Sequence, residues 1–216
     1  MIKDTYRHKG MRKNLVEKIR EKGIRDEAVL KAIDAVPRHL FMDSSFLEFS
    51  YEDKPFPIGA GQTISQPYTV AYQTELLKIK KGDKVLEVGT GSGYQACVLM
   101  ELGAKVYTIE RHKSLYLRAK ALLPTLGYNP VIITYGDGYK GLPVHAPFDK
   151  IIVTAGAPMI PEELKSQLKI GGYLVIPVGA EIQVMMRIIR DDASNFIEEK
   201  HGAFRFVPLL ENKAND

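Results

Sequence analysis

Glu87-Val88-Gly89-Thr90-Gly91-Ser92-Gly93-Tyr94 is the stretch that decides how this 216-residue chain folds. It follows an apolar run, Val85-Leu86-Glu87-Val88, that reads as a buried strand, and it opens a helical pattern over 94–102. Glycine takes positive φ without penalty and lets the backbone approach a ligand closely. In a doubly wound sheet, ligands bind outside the carboxyl ends of the strands, where this turn lies. The spacing narrows the ligand. A dinucleotide fingerprint needs glycine at position 94, but Tyr94 stands there and the third glycine falls one place early, at Gly93. The turn therefore suits a ligand without a pyrophosphate. As structure alone, it also serves as a tight strand-to-helix connection.

Downstream, strands and helices alternate. The pattern predicts strands over 105–109, 131–134, 148–153 and 173–178, with helices over 113–126 and 161–168 between them. Short apolar β-rich runs separated by helices mean a parallel sheet covered on both faces. The runs 184–189 and 203–209 add two strands as an antiparallel edge, and Gly171-Gly172 turns the chain into the fifth strand. The fold class is α/β, a doubly wound, mostly parallel sheet. Glu110 ends the second strand, where a carboxylate can accept both ribose hydroxyls of a nucleoside. Taken singly, it is equally an acidic residue ending a strand. Gly136-Asp137-Gly138 closes the third strand, and these residue types suit a turn whatever the function. The three segments share one location, the carboxyl ends of the first three strands.

Upstream, Leu15, Val16 and Ile19, then Ala28, Val29, Ala32 and Ile33, recur at helical spacing. Asp26 reads as the N-cap of the second helix and Pro37 as its stop. Residues 51–67 carry three prolines and two glycines and read as a long loop. Pro67 fits the first turn of a helix through Val70, Gln73, Thr74 and Leu77. One domain over 1–216 is expected, with 1–80 as a helical and substrate-loop segment and 81–216 as the core and C-terminal strands.

Composition excludes several classes. The formal charge of +4 is spread out, and the densest basic run, 7–25, reads as a solvated helix face or a surface for acidic partners. No basic stripe with interleaved aromatics points to nucleic acid. No apolar run approaches the roughly 20 residues that span a bilayer, and the charged start is not followed by a signal-peptide core. Cys97 is the sole cysteine, so an intrachain disulfide is impossible and a cytoplasmic location is expected. His8, His39, His112, His145 and His201 show no metal-ligand spacing, and no metal is expected. Cys97, inside the first core helix, reads as an inert buried thiol.

The E-x-G-x-G-x-G pattern resembles the first motif of class I S-adenosylmethionine methyltransferases. The resemblance implies S-adenosylmethionine as cofactor, S-adenosylhomocysteine as product, and Glu87, Gly89, Thr90, Gly91, Gly93, Glu110, Arg111, Asp137 and Gly138 as cofactor-binding residues. Pro57-Ile58-Gly59-Ala60-Gly61-Gln62-Thr63-Ile64-Ser65-Gln66-Pro67-Tyr68 resembles the signature loop of protein-L-isoaspartate methyltransferases. Val36-Pro37-Arg38-His39-Leu40-Phe41, Pro147-Phe148-Asp149-Lys150-Ile151-Ile152-Val153-Thr154-Ala155 and Phe206-Val207-Pro208-Leu209 continue the resemblance in the expected order. Leu142, Gly156 and Tyr72-Gln73 depart from it, away from both motifs. By that resemblance Ser65 is the catalytic residue, Gly59, Gly61 and Gln62 join the cofactor site, and Ile58, Thr63, Ile64 and Ser65 bind substrate. Without it, a serine two places before a helix-opening proline is capping chemistry.

The implied reaction is attack by a free carboxylate of an isoaspartyl residue on the sulfonium methyl, after which the ester collapses to a succinimide. A carboxyl group with a pKa near ~3.5 is ionised at neutral pH, so no general base is required. Isoaspartyl proteins and peptides are the expected partners, with no nucleic acid and no membrane, and the chain is expected to act as a monomer. An RNA or small-molecule methyltransferase, a nicotinamide oxidoreductase and a non-catalytic binding protein are the competing readings.

Overall fold

The computed structural model describes residues 4–216; Met1, Ile2 and Lys3, where the charged start was read, lie outside the described residues. Two helices lead, α1 (Tyr6–Glu21) and α2 (Glu27–Ala35). Asp26 caps α2 as its residue type predicts, accepting from the backbone N–H of Ala28 at 2.9 Å and of Val29 at 3.3 Å. The basic run on α1 is more than a solvated face. Arg12 is buried, and its guanidinium forks onto Asp4 at 3.1 and 3.2 Å and reaches the Tyr51 hydroxyl at 3.1 Å. Lys22 pairs with Asp53 at 2.5 Å, and Arg20 pairs with Glu27. These three charges are spent on the protein's own acids.

Residues 51–67 are not the structureless loop their composition suggests. They contain a hairpin in which β1 (Phe56–Gly59) and β2 (Gln62–Ile64) pair antiparallel. The connecting Ala60 and Gly61 have φ of 51° and 67°, as in a type I′ turn, whose twist matches that of its strands. Strands this short, one containing a proline, are below the length at which alternation can be read. The helix opened by Pro67 follows as α3 (Pro67–Leu77).

The core runs β3 (Lys84–Val88), α4 (Tyr94–Glu101), β4 (Lys105–Glu110), α5 (Lys113–Thr125), β5 (Ile132–Tyr135), β6 (Phe148–Val153), α6 (Glu162–Ser166) and β7 (Leu168–Val178). β8 (Gln183–Arg190) and β9 (Phe196–Phe204) complete a seven-stranded sheet of order β5-β4-β3-β6-β7-β8-β9, parallel as far as β7 and antiparallel beyond it. The doubly wound, mostly parallel sheet is the one expected. Alternation along β3 sends Val85 to a cluster with Leu77, Ala96 and Leu99 from α3 and α4. It sends Leu86 to the opposite face, among Ile151, Leu164 and Leu168. The chain leaves β3 on one side toward β4 and returns on the other as β6, which opens a crevice at their carboxyl ends.

Two strand boundaries moved by several residues. Gly171-Gly172 is a bulge inside β7, where Leu168 pairs with Phe148 and Tyr173 with Lys150, and not a turn before the strand. The last strand is 196–204, not 203–209. Its Glu198, Glu199 and Lys200 are the charges of an edge strand, so apolar periodicity points past it to residues that run elsewhere.

Candidate active site

The residues after β9 cross over the carboxyl ends of the strands. Gly156 donates its N–H to Val207 O at 2.8 Å and accepts from Leu209 N–H at 2.7 Å, with Pro208, which has no N–H, between them. Val207, Pro208, Leu209 and Leu210 thereby wall a cavity whose floor is the glycine turn. Its empty space, counted out into the open mouth, is about 760 Å³.

Of the residues expected in a site, Gln62, Thr63, Ile64, Ser65, Gly89, Thr90, Gly91, Glu110, Arg111 and Gly138 line this cavity. Ile58, Gly59, Gly61, Glu87, Gly93 and Asp137 do not. Ile58 is buried against Gly91, and its carbonyl accepts from Arg118 at 3.2 Å. Gly59 and Gly61 flank the exposed tip of the hairpin. Gly93 sits at the start of α4 against Leu123. Asp137 spends its carboxylate on the N–H of Tyr139 at 3.0 Å. Ile58, Glu87, Gly93 and Asp137 lie behind the lining, and Gly59 and Gly61 lie at the hairpin tip.

Gly89 shows why the turn needs glycine. Its φ is +95°, and a Cβ there would run into the Thr154 side chain. Thr154 uses its hydroxyl to donate to Gly89 O at 2.7 Å and Val88 O at 3.1 Å, tying the end of β6 to the turn. Glu110, 4% exposed, accepts from the backbone N–H of Gly91 at 2.8 Å and of His112 at 2.8 Å. A carboxylate has about four acceptor positions, so two backbone donors orient it and leave capacity for a bound diol. The close backbone at Gly89 and the oriented acid at Glu110 fit a nucleoside-bearing cofactor.

Glu87 supports this floor from below. One of its oxygens accepts from the Thr108 hydroxyl at 2.5 Å, and Thr108 meets the Thr90 hydroxyl at 2.6 Å. The other carboxyl oxygen has no hydrogen-bond partner. Burial pushes the Glu87 carboxyl up to about 8, with Thr108 opposing the rise and Glu110 adding to it. Between the free acid's range and pH 8 the folded protein therefore holds a proton that the unfolded chain has released. Folding binds protons there, and stability falls as pH rises through that window. Glu87→Gln keeps the shape without the charge. Its stability relative to the native protein is expected to be near zero at pH 4.5 and to rise to roughly 4 kcal/mol by pH 8. Urea unfolding of both proteins across that range measures the difference, and a gap that does not change with pH would refute the neutral acid.

A second, wider groove adjoins the cavity. Thr63, Ser65, Thr154 and Val207 line both, and Lys22, Tyr68, Phe204 and Arg205 extend the groove outward. Asp53 holds the segment that carries Ser65. It accepts from Tyr68 N–H at 2.8 Å and Gln66 Nε2 at 3.0 Å, capping α3 from fourteen positions before its first residue. Sequence reasoning missed Asp53, Thr154 and His112. Thr154 and His112 lie at strand ends beside recognised motifs, which was the available signal; Asp53 had none.

The fold also brings Asp4, His8 and His39 together, with potential ligand atoms within 4.8 Å, which their sequence spacing does not foretell. Asp4 is committed to Arg12 and His39 Nδ1 to the Tyr51 hydroxyl at 2.7 Å, and the cluster adjoins neither cavity. Cys97 is buried, and burial raises its thiol pKa, as expected of an inert thiol. Among the described residues no helix is long and apolar enough to cross a membrane.

Comparison with known proteins is consistent with this geometry. Residues 10–214 match the family described as protein-L-isoaspartate(D-aspartate) O-methyltransferase. The protein-L-isoaspartate O-methyltransferase of Christiangramia forsetii is 64% identical over 98% of this chain and 100% of its own length. That of Flavobacterium johnsoniae is 59% identical over the same shares. A solved protein-L-isoaspartate O-methyltransferase superposes with a TM-score of 0.83 at 30% identity, covering 93% of this chain and 66% of that longer one. A Plasmodium falciparum structure in complex with S-adenosyl-L-homocysteine superposes with a TM-score of 0.81 at 26% identity, over 93% and 99%.

Proposed function

The chain belongs to the protein-L-isoaspartate(D-aspartate) O-methyltransferase family, and from that premise we propose how its two cavities divide the reaction. It is an S-adenosylmethionine-dependent enzyme that methylates isoaspartyl residues of damaged proteins and so begins their repair. The cavity floored by the glycine turn would hold the cofactor, with Glu110 taking the ribose hydroxyls and the backbone of Gly89 to Gly91 alongside. Arg111 and Gly138 complete its nucleoside side. S-adenosylmethionine supplies there an electrophilic methyl group on a cationic sulfonium.

The substrate peptide lies in the open groove and presents its carboxylate at the junction. The observation that carries this division is that Ser65 lines both cavities. A carboxylate is already the nucleophile at neutral pH, so the site needs placement and dryness more than a base. Ser65 donates a hydrogen bond that holds this carboxylate, and Thr63 and Ile64 frame it. Ile58, Gly59 and Gly61 act through the hairpin that carries these residues. Glu87 and Gly93 set the floor, and Asp137 holds Gly138 in place.

Residues 1–80 and 81–216 form one working unit, since the substrate loop comes from the first and the cofactor floor from the second. The chain is taken to act as a monomer, which sedimentation of the purified protein would test. The lone buried cysteine supports a reducing, cytoplasmic setting. Transfer of labelled methyl to one peptide prepared in aspartyl and isoaspartyl forms tests the reading. Label is expected on the isoaspartyl form alone; equal labelling of both, or of neither, would overturn it.

A further inference from the structure

Residues 211–216 do not trail away from the site. The backbone turns at Asn212, with φ of +62°, directly after Leu209 and Leu210 have lined the cavity. Arg111, itself a lining residue, donates from Nε to Asn212 O at 3.1 Å and from Nη2 to Glu211 O at 3.4 Å. Ala214 then joins the end of β4 as a parallel bridge to His112. Its N–H donates to Arg111 O at 2.8 Å, and its carbonyl accepts from Lys113 N–H at 3.2 Å. The Tyr135 hydroxyl reaches Ala214 O at 2.9 Å and Asn215 Oδ1 at 2.6 Å. Asp216 Oδ2 lies 2.6 Å from His112 Nδ1.

These contacts converge on the segment that orients Glu110. His112 is 8% exposed and lines the cavity, and its backbone N–H is one of the two donors holding the Glu110 carboxylate. A continuous path therefore runs from Asp216 through the His112 ring and backbone to the acid. The backbone bridge at Ala214 fixes the same residue from its other side. Without residues 212–216 the His112 ring loses a carboxylate partner, Arg111 loses a carbonyl, and the end of β4 loses its outer neighbour. A carboxylate that must meet a diol at fixed geometry gains affinity from such preorganisation.

We propose that residues 212–216 form a strap that positions Glu110 for the cofactor, with Asp216 a positioning residue acting through His112. This rests on the reading that places the ribose on Glu110. The strap contacts Arg111 and His112, which line the cofactor cavity and not the peptide groove, so its loss separates the two substrates. The measurement is calorimetric binding of S-adenosylmethionine and S-adenosylhomocysteine to the native protein, a form stopped after Glu211, Asp216→Asn, Asp216→Glu and Glu110→Ala. Truncation is expected to raise both dissociation constants about tenfold, the equivalent of one good hydrogen bond, and Asp216→Asn about threefold. Asp216→Glu should restore most of the loss. The isoaspartyl peptide KM and kcat at saturating cofactor should stay within about twofold, as expected when only cofactor binding is weakened. Unchanged affinity in the truncated form while Glu110→Ala binds weakly would overturn the strap alone. Unchanged affinity in Glu110→Ala as well would remove the ribose placement, and the strap with it. A truncated form that loses kcat and melting temperature along with affinity would show a merely structural role and also overturn it.

Discussion

Glu110→Ala is expected to weaken S-adenosylmethionine binding by about 10²–10⁴-fold, the largest effect of any single substitution in this site. Hydrogen bonds to a charged group contribute roughly 1.5–3 kcal/mol each, and a ribose diol makes two of them. The loss has a second part. The carboxylate also accepts from Gly91 and His112, so alanine strips the acceptor from two backbone donors and loosens the glycine turn. Thermal shift provides an independent reading. Saturating S-adenosylhomocysteine at about a hundred times its dissociation constant should stabilise the native protein by about 2.7 kcal/mol. The same concentration should leave the variant almost unmoved. Calorimetric affinity within threefold of the native value would refute the assignment.

Ser65→Ala is expected to lower kcat/KM for an isoaspartyl peptide by about 10–100-fold, the value of one hydrogen bond to a carboxylate. Cofactor affinity should remain within about twofold, because the donors and acceptors around Glu110 do not involve residue 65. The loop itself should not collapse. It is held by Asp53 on Gln66 and Tyr68, and by the hairpin before it. A serine serving only to cap α3 would behave differently, since its loss would cost stability and leave the kinetics of the folded enzyme intact. Peptide kinetics at saturating cofactor, measured beside urea unfolding, separate the two. Lost stability with unchanged kinetics would return Ser65 to capping chemistry.

Much of this was written locally in the sequence. Val85-Leu86-Glu87-Val88 and its glycine turn specify a buried parallel strand with a ligand crevice above it, because strand burial and positive φ depend on neighbouring residues. Asp26 and Pro67 mark helix starts for the same reason, since a cap satisfies donors two or three residues away. The resemblance in the 57–68 loop narrowed the acceptor further than any physical pattern could. Local signals also misled. The hairpin at 56–64 was too short to show alternation, and the charged edge strand β9 hid behind the more apolar residues after it.

The site's closure was decided only in three dimensions. Asp53 caps a helix from outside it, Thr154 ties the first core turn to β6 from 65 positions away, and Asp216 reaches His112 across 104. Glu87 reads as a cofactor ligand from its motif, but strand alternation turns its side chain beneath the floor, where burial holds it neutral. Turn chemistry and periodicity are set by neighbours along the chain, so the sequence determined the sheet and the place of its crevice. Contacts between residues dozens of positions apart depend on how strands stack and where loops cross them. Those contacts, and with them the walls of the site, were left to the tertiary structure.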